Sequence, residues 1–231
     1  MTRNSMLEQP SMPSRPSTSL RRDWLRFSVR SLLVLVLVVG SLLGWLIYRV
    51  RAQCEAVAAI QKAGGFVVYR WKWRNGSVDR LGKPGVPGWL LQWLGPDFFY
   101  GVKRVDLVAD FGDGADDRLM IRVAQLRDLE ALNLHGDKDV TDVGLAHFEG
   151  LNQLRALDLS KSGVKDAGLI HLKGLTNLWY LSLDDTGVTD AGLSHLRGLS
   201  NLKVLRLNGT MVSGVGVREL AKVMPNTRID P

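Results

Sequence analysis

The sequence contains a single cysteine, Cys54, among 231 residues. One thiol excludes an internal disulfide framework and any zinc site built from several cysteines. Histidine is also scarce, with only four in the chain, so a site that needs several imidazoles has few candidates. The hydrophobic content of 45% supports a folded core and excludes a chain that is disordered throughout.

Three of the four histidines recur in one phrase. His147, His171 and His195 end the segments VTDVGLAH, VKDAGLIH and VTDAGLSH, an arrangement that suggests either a metal array or a repeated scaffold. Neighbouring helices pack about 8–10 Å apart, whereas two imidazoles on one zinc bring their nitrogens within about 4 Å. We therefore predict that the histidines follow the period of a repeat and bind no metal.

Charge is unevenly distributed along the chain. Lys and Arg exceed Asp and Glu by 4 in residues 1–48 and by 7 in residues 49–104, whereas residues 105–231 have an acidic excess of 4. The basic excess therefore flanks a hydrophobic run, which indicates that these charges lie next to a membrane-spanning segment. The acidic excess in the C-terminal part argues against nucleic-acid binding.

No charge interrupts Leu32–Tyr48, which reads LLVLVLVVGSLLGWLIY between Arg30 and Arg49. With Ser31 the run has 18 residues and is about 27 Å long as a helix, enough to cross the bilayer core. Trp45 and Tyr48 stand at one end, where aromatic side chains favour the membrane interface. These features predict a transmembrane helix.

A cleaved secretory signal is the alternative, because Ala56-Val57-Ala58 has the small-x-small form. This tripeptide lies beyond Arg49 and Arg51, too far from the apolar run, so an uncleaved signal anchor is favoured. Arginines cluster before the run, which predicts a cytoplasmic N-terminus and an extracytoplasmic C-terminal part; they are Arg15, Arg21, Arg22, Arg26 and Arg30.

Leucines repeat with a period of 24 residues in the C-terminal part. The pattern LxxLxL occupies Leu154–Leu159, Leu178–Leu183 and Leu202–Leu207, an earlier copy at Leu129–Leu134 is offset by 25, and a weaker copy has Val105-Asp106-Leu107 as its strand. Alternation in LxL directs two leucines to one side of a short strand. A single coil cannot bury them, so stacked coils sharing a parallel sheet are expected.

The phrase LxxLxLxxTxVTDAGL resembles the repeats of bacterial leucine-rich-repeat proteins and, more distantly, the cysteine-containing repeats of F-box proteins. Ser162, Thr186 and Thr210 occupy the position of that cysteine, and no F-box-like segment is visible. The resemblance implies an α/β solenoid with strands on the concave face and helices on the convex face. It also implies a binding surface. We expect no enzymatic activity and no cofactor, because no deep pocket is implied.

The VTDAGL phrase is typical of a helix start. Thr141, Thr189 and Ser213 are expected N-caps, and the aspartate that follows the first two places negative charge in the first helical turn. Lys165 stands where a cap is expected in VKDAGL, so Asp166 is the expected cap there. The inner glycines would be costly in an isolated helix and predict close approach between coils; they are Gly144, Gly168, Gly192 and Gly216.

These observations divide the chain into five segments. They are a disordered basic cytoplasmic tail (1–30), a transmembrane signal anchor (31–50), a juxtamembrane helix and linker (51–65), an aromatic-rich N-terminal cap (66–104), and the solenoid with its C-terminal cap (105–231). Large apolar side chains are expected to plug the first coil of a solenoid; the candidates are Trp71, Trp73, Trp89, Trp93, Phe98 and Phe99. A ligand-binding aromatic patch is the alternative role for these six.

The concave face contains the residues that vary between repeats. Asp158, Asp184 and Asp185 suggest a cation site, and His135 near Ser160 suggests a nucleophile with a base, but polar side chains are normal on a solvated sheet face. We interpret this face as a surface for a protein partner, with a polysaccharide as the alternative ligand. The candidate contact residues are Asp158, Ser160, Tyr180, Ser182, Asp184, Asp185, Arg206 and Asn208. A passive envelope-structural or self-associating protein is the alternative function.

Overall fold

The computed structural model describes residues 29–74, 77–79, 81–107 and 115–231. Apart from Val29 and Arg30, the predicted cytoplasmic tail lies outside these residues. Two compact units are present, and their boundary lies between Gly44 and Trp45.

The described part of the first unit is helical. It belongs to helix α1, Val29–Lys62, which is long and apolar enough to cross a membrane. Its apolar side chains are exposed, from Leu32 to Leu43. An apolar helix with no buried face is atypical of a soluble protein, in which one stripe of a helix packs on a core.

The strands of the second unit are β1 Phe66–Tyr69, β2 Trp73–Arg74, β3 Ser77–Val78, β4 Val102–Asp106, β5 Ala131–Asn133, β6 Ala156–Asp158, β7 Tyr180–Ser182, β8 Val204–Arg206 and β9 Arg228–Asp230. In the described residues, seven of them form one sheet in the order β1-β4-β5-β6-β7-β8-β9. Strand β1 is antiparallel to β4, and all later neighbours are parallel. Strands β2 and β3 form a separate antiparallel pair.

Helical segments connect the strands. The α-helices after α1 are α2 Gly88–Leu94, α3 Pro96–Phe99, α4 Asp117–Val123, α5 Asp142–Leu145, α6 Asp190–Leu193 and α7 Gly214–Val223. The 3-10 helices are Arg70–Lys72, Ala146–Gly150, Gly168–Leu172 and Ser194–Gly198. One strand and one helical segment per 24 residues confirm the predicted α/β solenoid, including the weaker first copy.

The repeated leucines build the core. Leu132, Leu157, Leu181 and Leu205 pair in register across neighbouring strands, so the LxL leucines of successive coils stack on one another. These leucines are buried, as are those of the helical segments between Asp117 and Val223, and Phe148 is the largest fully buried side chain among the described residues. The solenoid therefore has one continuous core.

The aspartate of each repeat acts on the following coil. Asp117 accepts hydrogen bonds from Thr141 N (2.7 Å), Thr141 Oγ1 (2.6 Å) and Gly144 N (3.0 Å). Asp190 accepts from Ser213 N (2.7 Å) and Ser213 Oγ (2.6 Å). The aspartates therefore link one coil to the next, in addition to any effect on the dipole of their own helix.

The predicted N-caps Thr141, Thr189 and Ser213 are confirmed, since each side chain accepts a bond from the first turn of its helix. The prediction for Asp166 is wrong. The Gly168–Leu172 segment has Ala167 at its start and no side-chain cap, because both carboxylate oxygens of Asp166 are bonded to Thr189 in the next coil.

The predicted close approach at the inner glycines is confirmed. A Cβ atom on Gly168 would lie 2.4 Å from Asp142 Oδ1, and one on Gly216 would lie 2.1 Å from Asp190 Oδ1. Both distances are far shorter than van der Waals contact. Glycine is needed here because the carboxylate of the preceding coil occupies the space of a side chain.

The first coil is sealed by the C-terminal turns of α1. Ala56, Val57 and Ile60 are buried in the same core as Leu107, and a Cβ atom on Gly65 would lie 2.6 Å from Leu107 Cδ2. Residues 51–65 therefore provide the apolar cover of the solenoid as well as its connection to the apolar run.

The aromatic plug was predicted in the wrong place. None of Trp71, Trp73, Trp89, Trp93, Phe98 and Phe99 is buried. Trp89 and Trp93 are 67% and 78% exposed. The small and β-branched residues of α1 occupy the core position because a continuous helix already passes over the first coil, and this leaves the six aromatic side chains outside.

Candidate binding surface

The side of β4–β9 that faces away from the leucine core is called the open sheet face here. It corresponds to the predicted concave face. Arg206, Asn208 and Asp185 are exposed on it or at its edge, and Asp158 and Tyr180 are half-buried. Ser160, Ser182 and Asp184 are buried and are not free to meet a partner.

Hydrogen bonds between coils explain the burial of the two serines. Ser160 Oγ and Ser182 Oγ are 2.7 Å apart, and both Ser160 N and Ser160 Oγ donate to Asp158 Oδ1. The Ser160 hydroxyl is therefore held by Asp158 and Ser182. Among the described residues no hydrogen bond joins the Ser160 hydroxyl to the His135 imidazole, and the suggested Ser160–His135 pair gains no support.

Asp184 is held in a similar way. Its Oδ1 accepts from Asn208 N (2.8 Å) and Asn208 Nδ2 (3.0 Å), and its Oδ2 lies 2.7 Å from Arg206 Nη2. Asp185 follows it with φ of 55°, a left-handed conformation at the turn that ends the strand. In the part of the chain that the structure describes, no three His, Cys, Asp or Glu side chains approach closely enough to hold a metal ion.

A groove of about 590 Å³ lies at the edge of the open sheet face where the strands begin. We call it the tryptophan groove. Its lining residues are Trp73, Arg104, Glu130, Ala131, Arg155, Ala156, Asn177, Trp179, Asn201 and Lys203. The set combines two indole rings, three cationic side chains and two amides.

Four of these residues form a row, because each one immediately precedes a strand. They are Glu130, Arg155, Trp179 and Lys203. Arg155 N donates to Glu130 O (2.8 Å), Trp179 N to Arg155 O (2.7 Å) and Lys203 N to Trp179 O (2.8 Å). The backbone ladder fixes their spacing at that of strands, about 4.8 Å. The row therefore presents its side chains from a rigid support.

Trp73 closes the groove at its β4 end. Its Nε1 donates to Glu130 Oε2 (3.0 Å), and Lys103 Nζ lies 2.8 Å from Glu130 Oε1. Arg104 Cζ lies 6.0 Å from the centre of the Trp73 ring, within reach of a cation–π contact. Burial opposes ionisation of Glu130, but the bonds from Lys103 and Trp73 outweigh it and lower the pKa of this carboxyl.

The cations of the groove differ in their partners. Arg104 is paired with Asp106 through Nε (2.7 Å) and Nη2 (2.6 Å). Arg155 and Lys203 are exposed, and among residues 29–231 as far as described, no carboxylate lies within ion-pair distance of either. These two cations therefore remain available to an anionic group of a ligand.

The amides stabilise the wall of the groove. Asn177 Nδ2 donates to Asn152 O (2.7 Å) and Asn201 Nδ2 donates to Thr176 O (2.8 Å), each reaching back to the preceding coil. Their side-chain oxygens are left for other contacts. The lining therefore presents amide, cationic and indole side chains to the space of the groove.

Arg155, Trp179 and Lys203 were not among the predicted contact residues, because only residues from the strands onward were considered. A signal was present in the sequence. The residue before the strand is Glu, Arg, Trp and Lys in successive repeats, while the leucines around it are invariant. Variation at a fixed position of a rigid repeat indicates a surface residue that the fold does not specify.

No protein-family model matches the chain, and no curated protein matches it. Solved structures with leucine-rich repeats do match. Internalin C2 of Listeria monocytogenes is 30% identical, with 47% of this chain and 44% of that chain covered and a TM-score of 0.41. A leucine-rich-repeat protein of Leptospira interrogans is 26% identical, with 48% and 27% covered and a TM-score of 0.40.

The leucine-rich-repeat ectodomain of the receptor kinase SOBIR1 of Arabidopsis thaliana is 17% identical, with 78% of this chain and 91% of that chain covered and a TM-score of 0.47. The chain spans less than half the length of the internalin and of the Leptospira protein. The leucine-rich-repeat fold of this chain is established by its own 24-residue repeats and by the parallel sheet with one strand per repeat.

Proposed function

We propose that this chain is a membrane-anchored leucine-rich-repeat module that binds a protein partner on its concave sheet face, with the tryptophan groove at the centre of the contact. The observation that carries this proposal is the exposure of Trp179, which is 52% exposed although it stands in a rigid row between Arg155 and Lys203. Tryptophan and arginine are the side chains most often found to dominate protein interfaces.

The chemistry of the groove favours an acidic partner segment. Arg155 and Lys203 are free to pair with carboxylates, and Trp179 offers a flat apolar surface beside them. Of the contact residues expected from the sequence, Tyr180, Arg206 and Asn208 extend this surface over the open sheet face. The acidic excess of residues 105–231 disfavours nucleic acid as a ligand.

Membrane anchoring is the second part of the proposal. The apolar run of α1 is long enough to span a bilayer and its side chains are exposed. The arginines before it place the N-terminus in the cytoplasm by the positive-inside rule. The repeats then lie outside the cytoplasm.

This orientation is testable with a single thiol. Met211 is 67% exposed on the solenoid, so Met211→Cys on a Cys54→Ser background should react with a membrane-impermeant maleimide in intact cells. Reaction only after the cells are broken would reverse the topology. Recovery of the chain in the soluble fraction would contradict the proposed membrane anchor.

The partner is testable by photo-crosslinking. A photoreactive amino acid at Trp179 in intact cells should yield one discrete protein adduct, identified by mass spectrometry. The same residue at Ile170, which is 50% exposed away from the groove, serves as the matched control and should yield none of it. Homotypic adducts would instead support the alternative, a passive or self-associating envelope protein. Adducts with glycan would show that the ligand of the groove is a polysaccharide and not a protein.

A further inference from the structure

Helices α2 and α3 bury none of their side chains. Helix α2 has the sequence GWLLQWL, and Trp89, Trp93 and Leu94 are exposed on it; Phe98 is exposed on α3. Leu90 and Leu91 are half-buried, but among the described residues the solenoid core includes no side chain of α2. An exposed apolar patch of this kind marks a surface that contacts another protein or a membrane.

The position of this patch favours the membrane over a protein partner. Gln53 Nε2, on α1, donates to Asp97 Oδ1 (3.0 Å) and to Tyr100 O (2.7 Å), and Tyr69 OH donates to Asp97 Oδ1 (3.0 Å). These bonds fasten α3 beside the α1 turns that follow Tyr48, the last residue of the uncharged run. The patch therefore lies at the level where that run ends.

A small cavity confirms the neighbourhood. It has a volume of about 210 Å³, and Leu46, Arg49 and Val50 of α1 line it together with Phe98 and Phe99. Leu46 lies within the uncharged run and Arg49 is the first charge after it. The aromatic side chains of α3 thus lie beside the turn in which α1 changes from apolar to charged.

The charges around the patch are mostly basic. Arg51, Arg70, Lys72 and Lys83 are all exposed and precede α2 and α3 in the sequence, and Arg70 lines the cavity beside Phe98 and Phe99. Lys72 Nζ lies 4.7 Å from the centre of the Trp71 ring. Cations beside tryptophans match the chemistry of a bilayer surface with anionic headgroups, where indole rings sit at headgroup level and Lys and Arg meet phosphates.

From these contacts we infer that α2 and α3 form a membrane-docking element, with Trp89, Trp93 and Phe98 inserted into the interface of an anionic bilayer. This inference rests on the membrane anchoring proposed above. It assigns to α2 and α3 a role distinct from covering the solenoid core, and it gives the chain a second contact with the lipid besides the apolar run.

The test uses the full chain in vesicles of phosphatidylcholine and phosphatidylglycerol. On a Cys54→Ser background, a nitroxide spin label is attached to Trp93→Cys, with Trp89→Cys as a second reading of the same helix. Met211→Cys, similarly exposed on the solenoid, is the matched aqueous control, and Leu37→Cys in the apolar run reports the anchor. Accessibility to oxygen, which partitions into lipid, is compared with accessibility to a water-soluble nickel complex.

We expect positions 93 and 89 to show a ratio of oxygen to nickel accessibility several-fold higher than position 211, and closer to that of position 37. A ratio at 93 and 89 equal to that at 211, with position 37 in lipid, overturns the docking element and leaves the anchor standing. Shielding of 93 and 89 from both reagents means that a protein covers the patch and also overturns it. An aqueous ratio at position 37 overturns the anchor, and the docking element with it.

Discussion

Asp166 holds Thr189 of the next coil by two hydrogen bonds, one from Thr189 N to Oδ1 (2.8 Å) and one from Thr189 Oγ1 to Oδ2 (2.6 Å). The same Thr189 Oγ1 accepts a bond from Ala191 N and so caps α6. One aspartate therefore fixes the hydroxyl that starts the next helix. Asp117 does the same for Thr141 and Asp190 for Ser213.

Asp166→Ala should destabilise the solenoid by about 2–4 kcal/mol, since it removes two charge-assisted bonds and leaves a backbone N–H without its acceptor. Urea denaturation followed by circular dichroism measures this loss. Asp142→Ala is the matched control, because Asp142 Oδ1 accepts a single bond among the described residues, from Lys165 N (2.7 Å). Its cost should be about half as large. Equal costs for the two variants would contradict the two-point contact.

Gly192→Ala should be destabilising for a steric reason. Its Cβ would lie 2.4 Å from Asp166 Oδ1 and 3.0 Å from Leu169 Cδ1, so either the carboxylate leaves Thr189 or the coils separate. We expect a loss of about 2–4 kcal/mol in free energy of unfolding.

Gly174→Ala is the control for that substitution. Gly174 lies at a helix end with no described atom within 4 Å of an added Cβ, and its φ is not positive. Alanine there restricts the unfolded chain and should be neutral or stabilising by up to about 1 kcal/mol. A destabilised Gly174→Ala would show that the cost at Gly192 is not specific to the contact between coils.

The sequence was sufficient to predict the solenoid, because LxxLxL recurs at fixed spacing and leucines at these positions are buried only when successive coils stack. Thr141, Thr189 and Ser213 were identified as caps by local chemistry alone. Asp166 was not placed correctly, because its partner lies 23 residues away and its own helix offered a plausible local role. Periodicity predicts which residues face inward, but pairings between coils depend on how the coils stack.

The N-terminal end of the solenoid was harder to predict, since the repeats give no information there. Size favoured tryptophan as the plug, whereas Ile60 and its small neighbours on α1 fill that place. The exposure of Trp179 was not predicted either, because it lies next to a leucine strand that the repeat explains completely. Among the predicted contact residues, Ser182 and Asp184 lie on the open sheet face but are buried below its surface.

Ile60→Ala should show that the stability of the solenoid depends on α1. Ile60 is fully buried against the first coil, and removing its branched side chain leaves a cavity that costs about 2–4 kcal/mol. Ile170→Ala is the matched control, since Ile170 is half exposed and should stay within about 0.5 kcal/mol of the parent. Thermal unfolding measures both. An Ile60 variant as stable as the Ile170 variant would show that α1 does not cap the core.

Asp137 gives the solenoid a dependence on pH. The side chain is buried, Oδ1 accepts from Ala115 N (2.8 Å), and Oδ2 has no partner among the described residues. Burial raises the pKa of this carboxyl to about 6, with a further contribution from Asp139; the Ala115 bond and His135 act in the opposite direction. The carboxyl of the unfolded chain keeps its ordinary pKa of 3.8.

The folded chain therefore holds this proton at a pH where the unfolded chain has released it. Stability falls as pH rises from about 4 to about 6 and changes little above that, with a total loss of at most about 3 kcal/mol. Asp137→Asn keeps an oxygen for Ala115 N but cannot ionise. We expect the stability difference between the Asp137→Asn variant and the parent chain to shift in favour of the variant by that amount between about pH 4 and about pH 7.5, measured by urea denaturation. A difference that is constant across this range would mean that Asp137 titrates at its ordinary pKa.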